Sequence, residues 1–81
     1  MAERRAHPRH RTLKAGKIVF NHHFSVVDCT VRNLSATGAR LEVPSTFGIP
    51  DDFDLLVEPD RALRACRVAW KDEHRLGVTF R

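Results

Sequence analysis

The sequence predicts an all-β domain, a sandwich or a barrel, and three observations carry that expectation. Apolar residues recur with a period of two along most of the chain beyond residue 17. No segment sustains the 3.6-residue period of an amphipathic helix. Turn-forming residues interrupt the alternation at short intervals, leaving six strand-like runs. With 81 residues there is room for one such domain.

In chain order, residues 1–11 read as a flexible basic arm and residues 12–81 as a single β domain. Ile18–Phe20 and Ser25–Val31 are rich in Val and aromatic residues and are joined by Asn21-His22-His23, a hairpin turn. Ala39, Leu41 and Val43 alternate with Arg40 and Glu42 after the turn signal Thr37-Gly38. A second turn region, Phe47 to Asp52, contains Gly48 and Pro50. Phe53, Leu55 and Val57 alternate with Asp54, Leu56 and Glu58, and Pro59-Asp60 follows. Ala62–Trp70 puts Cys66, Val68 and Trp70 on one face, which assigns Trp70 to the core or to a partner contact, with a cover over a ligand base as the alternative. Lys71 to His74 is the last turn. Leu76, Val78 and Phe80 then alternate with Arg75, Gly77, Thr79 and Arg81. Closure into a barrel would remove exposed strand edges.

Charge is unevenly spread. Residues 1–17 hold Arg4, Arg5, Arg9, Arg11, Lys14 and Lys17 against Glu3 alone, while the other 64 residues are near neutrality. A neutral body with a basic arm points to a localised anion site. Pro8 disfavours helix and extends the chain at His7. In an extended arm Arg5 and Arg9 stand roughly 13 Å apart, at about 3.3 Å per residue. That spacing suits two separated acceptors, or a chain that wraps its ligand. Arginine pairs bidentately with phosphate and stacks on purines. A solvated basic tail is the alternative.

A second polar element, Asn33-Leu34-Ser35-Ala36-Thr37-Gly38, separates two strands. Asn33 and Ser35, two residues apart, share one side, and Leu34 points into the core. Gly38 permits a positive φ or a close backbone approach. An ordinary turn, with Asn and Ser satisfying local backbone groups, is the alternative.

Together the two elements, Arg5-x-x-x-Arg9 and Asn33-x-Ser35-x-x-Gly38, resemble the PilZ domain family of bacterial cyclic-di-GMP receptors. Gly38-Ala39-Arg40-Leu41, Arg67-Val68-Ala69-Trp70 and Leu76-Gly77-Val78-Thr79-Phe80 are similar to that family as well, so the resemblance runs from about Glu3 to Phe80. It implies a six-stranded antiparallel β-barrel and the ligand cyclic-di-GMP. Arg5 and Arg9 would bind phosphates and stack on guanine. Asn33 and Ser35 would hydrogen-bond the ligand from the barrel surface, Gly38 would shape the turn, and Arg4 would assist with phosphate. Asn33 stands where the family often has Asp, and lacks a carboxylate's bidentate capacity. No long helix follows the last strand, as it does in many members.

Other chemistries find little support. His7, His10, His22 and His23 lack convergent metal-ligand spacing. Ser35 has no nucleophile context and no carboxylate pair suggests acid–base work, so neither a metal, a cofactor nor an enzyme is expected. Cys29 and Cys66 read as reduced core residues. Asp51, Asp52 and Asp54 read as a solvated loop, with a hold on the arm as the alternative. No apolar run reaches the length of a membrane span and no apolar core follows the basic N-terminus, which favours the cytoplasm. The expectation is a second-messenger receptor whose arm orders on the ligand and changes the surface shown to a downstream protein. A barrel that binds a protein partner without nucleotide, or a nucleic-acid binder using the arm, are the alternatives.

Overall fold

A computed structural model describes residues 10–58 and 62–81. Six strands follow one another: β1 (His10–Phe20), β2 (Ser25–Leu34), β3 (Gly38–Glu42), β4 (Asp52–Val57), β5 (Ala62–Lys71) and β6 (Arg75–Phe80). Every pairing is antiparallel, and the order β1-β2-β3-β6-β5-β4 closes on itself through β4 and β1. The expected six-stranded antiparallel barrel is what the chain forms. No helix occurs among the described residues.

The alternation fills the barrel. Ile18, Val31, Leu41, Leu55, Cys66 and Leu76 are fully buried, with Val43, Ile49, Phe53, Val57 and Val78 around them. Cys29 and Cys66 are free thiols within this core, as expected. Burial pushes the Cys29 thiol up to about 12 and the Cys66 thiol up to about 11, from an ordinary 9.0.

Three differences from the sequence reading have local causes. β1 begins at His10, well before the apolar run Ile18–Phe20. Its first half pairs with β2 around an irregularity between Arg11 and Lys14, which hides its alternation. The acidic stretch is a solvated loop only at Asp51, which lies in an exposed bend. Asp52 and Asp54 lie in β4, where Asp52 receives Arg67 and Arg81 at 3.1 Å each and Asp54 meets His23 at 3.3 Å. Trp70 is not in the core but about half exposed, because Ala69 is an extra residue in the β5–β6 ladder. Val68 pairs with Val78 and Trp70 with Gly77, so the tryptophan turns to the outer face.

The two ends of the barrel differ. At one end, Asn21, His22 and His23 turn the β1–β2 hairpin with φ of 56°, 55° and 71°. The β3–β4 connection crosses the same end, burying Val43, Thr46 and Ile49. The Thr46 hydroxyl donates to the Asp72 carbonyl at 2.6 Å, tying that plug to the β5–β6 turn. The opposite end carries the Ser35–Gly38 turn and the start of β1.

Candidate functional site

Asn33 and Ser35 reach one surface through a break in strand periodicity. Val31 points inward, so strict alternation would bury Asn33 as well. The β2–β3 register slips between Val31 and Asn33, and Arg32 is the extra residue. Asn33 therefore faces outward opposite Arg40, while Leu34 packs against the core.

Ser35 organises its own turn. Its hydroxyl oxygen accepts from the amides of Thr37 (3.2 Å) and Gly38 (3.3 Å), and it lies 3.2 Å from Thr37 Oγ1. The Ser35 amide donates to the Gly38 carbonyl at 2.9 Å. The hydroxyl in turn donates its proton to the Gly38 carbonyl at 3.3 Å, so the turn itself uses both its donor and its acceptor capacity. Gly38 does not adopt a positive φ. Its need for glycine comes from close approach: a Cβ there would collide with the Val78 carbonyl oxygen and lie 3.3 Å from Thr79 Cα.

The Asn33 amide is fixed at both ends when Nδ2 donates to the Arg32 carbonyl and Oδ1 accepts from Arg40 Nε, each at 3.2 Å. Beyond Arg40 the same row of the ladder continues across the sheet. Arg11 pairs with Asn33, Asn33 with Arg40, Arg40 with Gly77, and Gly77 with Trp70. Five strands thus present one transverse line of positions. The indole lies over Gly77, where an added Cβ would sit 2.6 Å from Trp70 Cε2.

From Asn33 to Gly77 this line forms the floor of a groove of about 370 Å³, walled by the Ser35–Gly38 turn on one side and by Trp70 on the other. Asn33, Ser35 and Gly38, the three predicted residues that can be placed, all line it. Arg4, Arg5 and Arg9 lie outside the described residues. β1 nonetheless starts at His10, one residue after Arg9, and His10 pairs with Leu34, which sits between Asn33 and Ser35. Arg40 and Thr37 join the groove without having been predicted there, and Trp70 joins it in the lesser of its expected places. Two bulges move Asn33 and Trp70 outward, and no alternation pattern encodes them. The available signal was Gly77, since glycine inside a strand marks a close approach.

No curated protein matches the chain. The family model described as PilZ domain matches residues 3–81, which spans the barrel, the groove turn and the arginine pair of the arm. A closed six-stranded barrel carrying the Asn33-x-Ser35-x-x-Gly38 turn at the mouth of β1, together with that match, places this chain in the PilZ domain family.

Proposed function

We propose that this protein is a cyclic-di-GMP receptor module of bacterial second-messenger signalling, acting in the cytoplasm, in which the N-terminal arm orders over the groove when ligand binds. The observation that carries this reading is the His10–Leu34 pairing. It sets the residue directly after Arg9 opposite Leu34, between Asn33 and Ser35, which supports a shared site for two motifs more than twenty residues apart in sequence. Arg5 and Arg9, with Arg4 beside them, pair with the phosphates of a ligand lying in the groove. The Ser35–Gly38 turn supplies its wall, and Trp70 offers a π face to a guanine. Ordering of the arm then alters the surface offered to a downstream protein.

Calorimetric titration with cyclic-di-GMP tests this, beside an Arg5→Ala/Arg9→Ala variant and a linear guanine dinucleotide. Binding by the wild-type chain, lost in the variant and weaker for the linear control, is the expected result. Absence of heat from folded protein would sink the receptor reading. A protein-interaction barrel would then be favoured by Phe24 and Phe47, which stand almost fully exposed at the end away from the Ser35–Gly38 turn.

A further inference from the structure

Among the described arginines, Arg40 is set apart by its surroundings. Arg32 meets Glu42 at 3.4 Å, Arg75 meets Asp72 at 3.0 Å, and Arg67 and Arg81 share Asp52. Arg64 lies over the Phe80 ring, 4.7 Å from its centroid. Arg40 has no carboxylate within ion-pair distance among the described residues. In the amide orientation that satisfies both polar atoms of Asn33, its Nε donates instead to the neutral Asn33 Oδ1. An amide acceptor fixes the guanidinium plane without cancelling its charge, and leaves four N–H donors unused by that bond. Those donors belong to a side chain that lines the groove, on a strand of the closed barrel. Across from Arg40, beyond side-chain-free Gly77, stands Trp70, two strand spacings or roughly 10 Å away.

We infer that Arg40 is the fixed phosphate-binding cation of the groove, contacting the ligand independently of the arm, and that Asn33 serves it as a positioning residue. The ligand's identity here rests on the receptor reading above; the anion site itself does not. Asn at position 33 then has a specific consequence. Asn33 keeps Arg40 oriented and charged.

Cyclic-di-GMP affinity is to be measured by calorimetry for the wild-type chain and for Arg40→Ala, Asn33→Asp, Asn33→Ala and the Asn33→Ala/Arg40→Ala pair, with the thermal midpoint of each as a folding control. Arg40→Ala is expected to weaken binding about tenfold or more, the scale of a hydrogen bond to a charged group. Asn33→Asp, which keeps an acceptor for Arg40, is expected to retain more affinity than Asn33→Ala without loss of folding. Asn33→Ala should cost affinity in the wild-type background and nothing further once Arg40 is gone. Unchanged affinity in folded Arg40→Ala, or additive losses in the pair, would overturn the assignment. In parallel, the Arg40 Nε–Hε NMR signal is followed during titration with pyrophosphate, in the wild type and in Arg5→Ala/Arg9→Ala. A saturable shift in both supports the fixed cation, and its absence refutes it. If cyclic-di-GMP fails to bind while pyrophosphate moves Arg40, the receptor reading falls and the anion site stands.

Discussion

Gly77 holds the centre of the groove because it has no side chain. Leu76 and Val78 on either side are buried, and the indole of Trp70 occupies the space a Cβ would need. Gly77→Ala must therefore displace the ring, while the backbone of β6 keeps its pairings. The expected outcome is a folded barrel with weakened cyclic-di-GMP binding. Trp70→Ala should lose a similar amount, on the order of 1–3 kcal/mol for one stacked base. The two substitutions should not add, since both remove the same contact. Additive losses in calorimetry would show that Trp70 acts elsewhere. At this scale the sequence was only partly legible. Asn33, Ser35 and Gly38 carry their chemistry in their identity and spacing. Trp70 and Arg40 do not, because a tryptophan two residues from a half-buried valine looks like core until an extra residue reverses its face.

The strands themselves were readable where a side faces the core for several residues. Leu55 between Phe53 and Val57, or Val78 between Leu76 and Phe80, leaves little choice of face. The first half of β1 was not readable, since its sequence, His10-Arg11-Thr12-Leu13-Lys14, has no alternation and its ladder shifts register. The hairpin that ends β1 carries a different tension. Asn21 tolerates the left-handed region, but His22 and His23 meet it with a Cβ, at φ of 55° and 71°. The Asn21 carbonyl, which accepts from the Phe24 amide at 3.0 Å, closes the turn despite this. His22 is exposed and makes no side-chain hydrogen bond among the described residues, so His22→Gly removes the steric cost with little else. Denaturant unfolding should show a gain of about 1 kcal/mol. A loss instead would mean that unfolded-state entropy outweighs the strain relieved.

At the scale of the whole molecule, stability depends on two thiols staying protonated inside one core. Both folded-state values, about 12 for Cys29 and about 11 for Cys66, lie above the ordinary 9.0. The unfolded chain therefore gives up these protons first as pH rises. The stabilising contribution is intact below 9.0 and is lost as pH climbs toward 11 and 12. Lys17, whose pKa is raised by its hydrogen bond to Asp28, works in the same direction at higher pH. Unfolding midpoints measured from neutral pH into this range should fall, and the fall should shrink in a Cys29→Ala/Cys66→Ala variant. An identical slope in both proteins would assign the alkaline loss to other groups. In the opposite direction, a ligand at a hundredfold excess over its Kd should raise stability by about 2.7 kcal/mol. The closed topology was foreshadowed by six short strands in a chain this small. That β6 sits between β3 and β5, however, depends on pairings between residues far apart in sequence, which no local pattern specifies.

The chain contains one tryptophan and no tyrosine. Since that tryptophan forms a wall of the groove, the protein carries a native optical reporter at the place where a ligand would sit. Its ultraviolet emission comes essentially from one indole in one environment, about half open to water. A base stacked on that ring would change the emission's intensity and colour, whereas events at the far hairpin would leave it steady. Occupancy of the groove could thus be followed in unlabelled protein, at dilutions and on timescales that heat measurements do not reach.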